Sequence, residues 1–325
     1  MAKSIETRRA DPLVLFPGSL GDFVCVLPAL EGLRATSQTQ RIAVAVRGQS
    51  LEIALHIPWI SHVLSLDRSL FASLFSSSAM MSPDTMQLFS SVPCVVSWFG
   101  HTSPEVQAAL QQLVPGGSRS FAFFSGQEKL HACLYYLRCL GSTEVRCPSL
   151  AVRDEDRTWL DEYWQLNGWR PSARLLVIHP GSGGKKKRWA REGFAHVANW
   201  WKTRTNRHVM ILLGPAEEGE VEFWQRAGIV ESSLSLRQVG VLLSRADLFL
   251  GNDSGVSHLA GAMGARGVVL FGPTCPEQWR PLGGSLSVLV NRAYRTATPD
   301  AVGVSLEEIP AETVIVELVR AGGIR

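Results

Sequence analysis

The sequence predicts an α/β protein of two doubly wound domains, each built around a parallel sheet. Short apolar runs, each ending in a turn and followed by a helical pattern, form two consecutive series along the chain. Such runs are typical of parallel strands buried on both faces. The length of 325 residues and the apolar share of 46% suit two domains of ordinary size, each with its own core.

The first series runs from the N-terminus to about residue 145. Its strands are expected at four apolar runs: Leu13–Phe16, Arg41–Val46, Val63–Leu66 and Val95–Phe99. Its helices are expected at Phe23–Ala35, Leu51–His56 and Lys129–Leu140. Residues 69–92 are rich in serine and methionine and have weak periodicity, so a mobile region is expected there.

The second series follows a boundary stretch, Val145–Arg174, that contains an expected strand at Leu150–Val152 and an expected helix at Asp156–Asn167. Its strands are expected at Leu175–His179, His208–Leu213, Asp247–Gly251 and Val268–Phe271. Its helices are expected around residues 191–204, 217–226, 236–244 and 255–264. We therefore place an N-terminal domain at residues 1–168, a second domain at residues 169–304 and a docked terminal helix at residues 305–325.

Charge and composition narrow the function classes. The net charge of +3 is far from the dense basic stripe of a nucleic-acid binder, so no nucleic-acid partner is expected. No apolar run is long enough to span a membrane, and the N-terminus has no secretory signal, so a cytoplasmic location is expected. The mild positive charge is compatible with peripheral contact with an anionic inner-membrane surface. The six cysteines lack ligand or CxxC spacing and are expected as buried free thiols.

The first turn of interest is Pro17–Asp22, directly after the first expected strand. Its glycines permit close backbone approach, and Asp22 stands where the next helix begins. Two interpretations are equally supported by the local pattern. Asp22 is a helix N-cap, or it is a general base that faces the mouth of the sheet and deprotonates a sugar hydroxyl.

The second turn, His179–Trp189, is glycine-rich, carries four consecutive cations and precedes a helix. Backbone amides, a helix N-terminus and a Lys or Arg side chain together suit a diphosphate. A solvated basic turn is the alternative, but cations at a helix N-terminus are otherwise unfavourable, which favours phosphate binding.

Two further turns follow later strands. Leu213–Glu218 ends in Glu217 and Glu218, which either bind ribose hydroxyls or simply stabilise the first turn of a helix; the pattern favours the second. Gly251–Ala260 places polar residues at a helix start, where the amides of Ser254 and Gly255 can face phosphate oxygens.

The acidic triplet Asp154-Glu155-Asp156 matches the DxD pattern with which many glycosyltransferases hold a divalent metal. It precedes an expected helix, so an N-cap with acidic residues in the first turn explains it completely. We therefore expect no metal site and no cofactor.

Taken together, these turns resemble glycosyltransferase family 9, the ADP-heptose:lipopolysaccharide heptosyltransferases. The resemblance is collinear over about residues 12–320 and lies in three blocks: Ser19–Asp22 with Leu27–Leu30, His179–Ser182 with Lys187–Trp189, and Asn252–Ala260 with Phe271–Thr274. Val256-Ser257 stands where the family often has Pro-Met, and the N-terminal half matches weakly outside the first block.

The resemblance implies a GT-B fold, with two Rossmann-like domains facing across a cleft, the donor on the C-terminal half and the acceptor on the N-terminal half. It implies that the protein transfers a sugar from an ADP-sugar to a lipopolysaccharide-core glycolipid, with inversion and without a metal ion. In this family the sugar is heptose. Asp22 matches the general base. The residues that match donor-binding positions are Ser19, Ser182, Gly183, Lys187, Glu217, Asp253, Ser254, Gly255 and His258. Two alternatives stay open: a GT-B nucleotide-sugar epimerase, and a catalytically silent nucleotide-sugar or glycolipid binding protein.

Overall fold

The computed structural model describes residues 11–76, 81–142, 144–203, 207–291, 306 and 309–323. The chain forms two compact units. The first comprises the described residues of Met1–Ser19, Val26–Glu128 and Cys133–Val145, and the second those of Leu20–Cys25, Lys129–Ala132 and Arg146–Arg325. Residues 146–168, which the sequence analysis placed in the N-terminal domain, thus group with the second unit.

The first unit contains a five-stranded parallel sheet in the order β3-β2-β1-β4-β5. Its strands are β1 (Leu13–Leu15), β2 (Ile42–Val46), β3 (Ile60–Ser65), β4 (Val95–Ser97) and β5 (Ser118–Ser120). The helices between and after these strands are α1 (Leu20–Thr36), α2 (Ser50–Leu55), α3 (Ser69–Ala72), α4 (Pro83–Ser91), α5 (Pro104–Leu113) and α6 (Ala132–Cys139). The central strand β1 is fully buried, as its apolar run predicts.

Helices occupy the serine- and methionine-rich stretch in which the sequence shows only weak periodicity. After α3, a short 3₁₀ helix spans Ser73–Phe75, and α4 begins behind Ser82, whose hydroxyl accepts the Thr85 N–H at 3.2 Å. Phe71 and Phe89 are fully buried and pack edge to face. The described part of this stretch is thus helical and contributes two rings to the core, although its sequence shows little helical periodicity; residues 77–80 lie outside the described part.

The second unit contains a six-stranded parallel sheet in the order β11-β10-β9-β6-β7-β8. Its strands are β6 (Arg174–His179), β7 (Arg207–Leu212), β8 (Ile229–Glu231), β9 (Leu248–Asn252), β10 (Arg266–Phe271) and β11 (Ser285–Val290). Its helices are α7 (Asp154–Leu166), α8 (Arg191–Lys202), α9 (Val221–Gln225), α10 (Leu236–Arg245), α11 (Gly255–Ala262), α12 (Pro276–Trp279) and α13 (Ala311–Gly322). The order is that of a doubly wound dinucleotide fold, with the direction of winding reversing between β6 and β9.

The terminal helix α13 docks on the core of the second unit. Val314 and Leu318 are fully buried and belong to the same apolar cluster as the β6 and β10 residues Leu176 and Leu270. The terminal helix expected within residues 305–325 therefore does dock on the second unit, and it begins at Ala311.

Three strands were not anticipated, and one expected strand is absent. β5, β8 and β11 all lie at sheet edges, where one side of a strand has no neighbour. β5 and β8 have only three residues each, whereas β11 contains an apolar run, Val288–Val290, that the sequence analysis did not identify. Leu150–Val152 forms no strand; the Leu150 N–H donates instead to the Ala262 carbonyl at 2.9 Å. The prediction of a strand here is wrong, because three consecutive apolar residues are not enough to indicate one.

Candidate active site

The polar turns of the second unit lie where its sheet reverses its winding. β6 and β9 are neighbours, with His179 paired opposite Gly251 at their carboxyl ends. Ligands in open parallel sheets bind just beyond this point, because the loops after the two strands diverge and leave a crevice. The loop after β6 and the turn after β9, both singled out from the sequence, are therefore adjacent in space.

Asn252 fixes the loop after β6 at both of its ends. Its side chain is fully buried, donates from Nδ2 to the Pro180 carbonyl at 2.7 Å and accepts the Trp189 N–H on Oδ1 at 3.0 Å. The bridged segment contains the glycines and the cations. Because the buried Asn252 amide is hydrogen-bonded to the backbone at both ends of the loop, it holds those two ends at a fixed separation.

Asp253 anchors the lysine that the sequence assigned to phosphate. Lys187 Nζ lies 2.8 Å from Asp253 Oδ2, and Thr274 Oγ1 donates to the same oxygen at 2.5 Å. Ser182 Oγ donates to the Asp253 carbonyl at 2.7 Å. The Lys187 side chain is 34% exposed and that of Asp253 only 7%. The ammonium group is thus held at the rim of the loop by a buried carboxylate and still reaches solvent.

Arg188 points the other way and pairs with Glu217. The distance from Arg188 Nη2 to Glu217 Oε1 is 2.7 Å, and the other carboxylate oxygen, Oε2, accepts the Gly214 N–H at 3.1 Å. Glu217 is buried, whereas Glu218 is exposed in the same short 3₁₀ helix, Pro215–Glu220. The predicted ribose acid therefore lies beneath the loop, engaged with an arginine.

Ser254 caps α11. Its hydroxyl accepts the Ser257 N–H at 3.3 Å and lies 3.3 Å from His179 Nδ1. Burial, and secondarily the Arg188 cation, lower the pKa of His179 to about 4. This imidazole is therefore neutral at neutral pH. The cap opens the eight-residue helix α11 beside the loop after β6, which places the positive end of a helix dipole at the crevice.

The first turn of α1 belongs to the second unit and packs against the first turn of α11. A Cβ atom added at Gly21 would lie 3.1 Å from the His258 ring, and one at Gly255 would lie 2.9 Å from the Leu20 Cβ. Because α1 begins at Leu20, Asp22 is inside its first turn, and the N-cap interpretation of Asp22 is wrong. Asp22 is half-buried and follows Gly21, the residue that lies against the first turn of α11.

His258 is buried at this helix contact. Its Nδ1 atom lies 3.6 Å from the Cys25 thiol. Burial lowers the pKa of His258 to about 4, with His131 and Lys187 acting in the same direction and Asp253 against them. His131, whose Nε2 lies 2.8 Å from the Arg280 carbonyl, was missed from the sequence. The only signal was a lone histidine at the start of α6.

The acidic triplet at the start of α7 is engaged in structural contacts. Asp156 accepts the Arg153 N–H at 2.8 Å, and both Asp156 and Glu155 pair with Arg237 of α10. In the part of the chain that the structure describes, no group of three or more His, Cys, Asp or Glu residues is arranged to hold a metal ion. The triplet therefore joins two helices and caps one of them.

The second unit brings most of the predicted site residues together. The residues that surround the crevice after β6 and β9, or that support its loops, are Ser182, Gly183, Lys187, Glu217, Asp253, Ser254, Gly255 and His258. Ser19 is exposed directly before α1 and belongs to the first unit. Sequence reasoning did not assign roles to Arg188 and Thr274, although both stand in the motifs it singled out.

No helix among the described residues is long and apolar enough to cross a membrane. All six cysteines are free. Cys25 and Cys133 are buried, as expected, but the expectation of burial is wrong for the other four: Cys94, Cys139 and Cys275 are only partly buried and Cys147 is exposed.

Residues 145–307 match the family described as glycosyltransferase family 9 (heptosyltransferase). The lipopolysaccharide core heptosyltransferase OpsX of Haemophilus influenzae is 26% identical over 50% of this chain and 47% of its own length. Lipopolysaccharide heptosyltransferase 2 of Salmonella typhimurium is 24% identical over 53% of this chain and 52% of its own length. The matches thus span about half the length of these curated relatives.

Two solved structures resemble the fold over nearly the whole chain. The glycosyl transferase family 9 protein of Veillonella parvula superposes with a TM-score of 0.77 at 18% identity, covering 97% of this chain and 98% of its own. ADP-heptose lipopolysaccharide heptosyltransferase II of Escherichia coli gives 0.71 at 18% identity, over 96% and 98%. The predicted α/β GT-B fold of two Rossmann-like domains is confirmed. Because the family match covers half of the chain, this protein belongs to glycosyltransferase family 9.

Proposed function

We propose that this protein is an inverting glycosyltransferase that transfers a heptose from ADP-heptose to a lipopolysaccharide-core acceptor. The observation that carries the proposal is the arrangement of three features at the crevice of the second unit, which we interpret as an anion site. There the glycine-rich loop after β6, the Lys187 ammonium group and the N-terminus of α11 converge beside the turn that carries Asp22. Such a transfer requires a site that binds the diphosphate of the donor and a nearby side chain that accepts the proton of the acceptor hydroxyl.

The anion site supplies the stabilisation that the leaving group needs. When the bond between the anomeric carbon and the diphosphate oxygen breaks, negative charge develops on the departing ADP. Lys187 and the first amides of α11 are held in place by Asp253 and by the Ser254 cap before any ligand arrives. Preorganised donors stabilise developing charge efficiently because they do not have to reorient during the reaction.

Asp22 takes the role of general base. As the acceptor hydroxyl oxygen attacks the anomeric carbon, its proton passes to the Asp22 carboxylate, and ADP leaves from the opposite face of the sugar. One displacement of this kind inverts the anomeric centre. The position of Asp22 supports the assignment, since it is only half-buried and lies next to the residue that contacts α11, and a general base has to come within hydrogen-bonding reach of the acceptor hydroxyl.

We assign the ribose contact to Glu218 rather than to Glu217. Glu217 is engaged by Arg188 and by the Gly214 N–H, whereas Glu218 is exposed at the same strand end, after β7. An acid at this position of a doubly wound sheet suits ribose hydroxyls.

A lipopolysaccharide-core acceptor is a glycolipid, so we propose that the protein works in the cytoplasm in peripheral contact with the inner membrane. Co-sedimentation with acceptor-bearing vesicles, but not with neutral phosphatidylcholine vesicles, is the expected result. Equal recovery in the supernatant with both kinds of vesicle would contradict the membrane contact.

Asp22→Asn tests the mechanism. We expect this variant to bind ADP as the unaltered protein does and to lose turnover by about two orders of magnitude or more, because only the proton acceptor is removed. The assay follows ADP release from ADP-heptose with a lipopolysaccharide-core acceptor. Asp84→Asn is the matched control, since Asp84 is also an aspartate in the first turn of a helix and is exposed on α4.

The same assay separates the alternatives. ADP release that requires acceptor supports transfer. Conversion of ADP-heptose without acceptor would indicate an epimerase, and ADP binding without any turnover would indicate a silent binding protein. Unchanged turnover in Asp22→Asn would remove Asp22 from the mechanism.

A further inference from the structure

We propose that Arg188 and Glu217 are a positioning pair that orients the Gly183 N–H of the glycine-rich loop toward the diphosphate. Neither residue needs to touch the ligand itself. The inference rests on the proposed function, because it concerns the loop that would receive the donor. It gives Glu217 a role different from the ribose contact that the sequence suggested.

Arg188 grips the loop through one carbonyl group. Its Nε and Nη2 atoms lie 3.3 and 3.1 Å from the Ser182 carbonyl oxygen, so the guanidinium group holds that oxygen with two N–H donors. The planar fork of an arginine fixes direction as well as distance. The Ser182 carbonyl is therefore turned toward Arg188.

A fixed carbonyl also fixes the next amide. No peptide bond among the described residues is cis, so the Ser182 C=O and the Gly183 N–H lie on opposite sides of one planar unit. With the oxygen turned toward Arg188, the Gly183 N–H points away from Arg188. Gly183 is exposed, and no atom lies within 4 Å of a Cβ atom placed on it, so there is open space beside this peptide unit.

Glu217 holds Arg188 in this position. Its side chain is 6% exposed and that of Arg188 is 22% exposed, so water screens the pair only weakly. Lys187 cannot easily replace Arg188, because its ammonium group is paired with Asp253. A Cβ atom at Gly181 would lie 2.7 Å from Glu217 Oε2, so the loop backbone is seated directly on the carboxylate. Loop, arginine and glutamate thus form one packed unit.

The two roles of Glu217 predict opposite changes in ligand preference. Affinities of the full-length protein are measured by calorimetry for ADP and 2′-deoxy-ADP, and by displacement titration for adenosine. The ratio of ADP to adenosine affinity reports the diphosphate contacts, and the ratio of ADP to 2′-deoxy-ADP affinity reports the ribose contact. We expect Glu217→Gln to lower the first ratio about tenfold and to leave the second unchanged, because loop orientation is lost while ribose is untouched.

Glu218→Gln is the matched control and should lower the second ratio instead. Arg188→Gln should reproduce Glu217→Gln, and the double variant should be no weaker than either single variant, because the two side chains act as one unit. If Glu217→Gln does not fold, Gly181→Ala tests the same point. It displaces the carboxylate without removing either charge.

Several results would overturn the inference. A fall in the ADP to 2′-deoxy-ADP ratio in Glu217→Gln would assign this residue to ribose. Equal losses for ADP and adenosine would indicate a general structural role, and additive losses in the double variant would mean that the two residues act separately. Failure of the unaltered protein to bind ADP would instead refute the proposed function, which the wild-type titration establishes first.

Discussion

Replacing Lys187 by alanine tests whether the basic loop holds one specific phosphate ligand. In the structure, the ammonium group of Lys187 is held 2.8 Å from the Asp253 carboxylate and remains about one-third exposed. The cation is thus already ordered where the diphosphate would arrive. Lys185 and Lys186, two and one residues earlier in the same 3₁₀ helix, are exposed. The four adjacent cations are therefore not equivalent.

The expected loss follows from these surroundings. Lys187→Ala removes one charge-assisted hydrogen bond to a charged ligand, worth about 1.5–3 kcal/mol, so ADP should bind about 10- to 150-fold more weakly. The variant also leaves the buried Asp253 carboxylate beside the diphosphate without its counter-charge. Adding Asp253→Asn to Lys187→Ala should therefore recover part of the lost affinity, because the remaining repulsion is removed.

Calorimetric titration of ADP at fixed, moderate salt measures these effects. Lys185→Ala is the control and should cost only about 0–1 kcal/mol, the range for an exposed charge. Equal losses for Lys185→Ala and Lys187→Ala would mean that the loop acts as a diffuse positive patch. A further loss on adding Asp253→Asn would show that Asp253 itself binds the ligand, and the account of the pair would have to be withdrawn.

Three further predictions concern metals, pH and packing. Turnover should survive excess EDTA, because Glu155 and Asp156 of the acidic triplet are engaged by Arg237; loss of turnover and rescue by Mn²⁺ or Mg²⁺ would contradict this. In the folded protein the pKa values of His179 and His258 are about 4, below the usual 6.5. Between pH 4 and 6.5 the unfolded chain therefore binds more protons than the folded one, so the free energy of unfolding falls as the pH drops from about 6.5 to 4. Urea unfolding of His179→Gln should show a slope with pH that is shallower by up to about 1.4 kcal/mol per pH unit, and an unchanged slope would refute the assignment. Gly267→Ala should lower the free energy of unfolding by more than about 3 kcal/mol, because Gly267 has φ of 149° and an added Cβ atom would lie 1.9 Å from the Phe249 carbonyl oxygen. Gly219→Ala is the control: there is open space around Gly219, so the free energy of unfolding in the same urea experiment should change little.

Much of the fold could be predicted because central parallel strands carry a strong signal. β6 is apolar from Leu175 to Ile178, and all four of these side chains are fully buried. Two of the edge strands, β5 and β8, carry no such signal. β5 has the sequence Ser-Arg-Ser and β8 has only three residues, so their strand character comes from pairing with a neighbour already in place. Hydrogen bonding to another strand cannot be predicted from segments of only three residues.

The candidate site divides in the same way. The motifs located the glycine-rich loop and the turn at Asp253, because glycines, cations and acids after buried strands have few packing reasons to occur together. They did not indicate that Asp22 lies inside α1 rather than at its cap. The start of a helix depends on backbone contacts that the local pattern leaves undecided, and boundaries shift by a few residues for that reason.

By itself, the sequence determined the two-domain α/β architecture, the central strands and the places where polar chemistry gathers, because these depend on local apolar runs and on turn residues. Only the tertiary structure decided which charges pair. Lys187 turns to Asp253 and Arg188 to Glu217, although the two cations are adjacent in the chain and their partners are distant. The physical reason is that burial selects the pairs. A buried carboxylate is stable only when it is paired with a cation, and the folded structure determines which cations lie near it. The spacing of residues along the sequence does not contain that information.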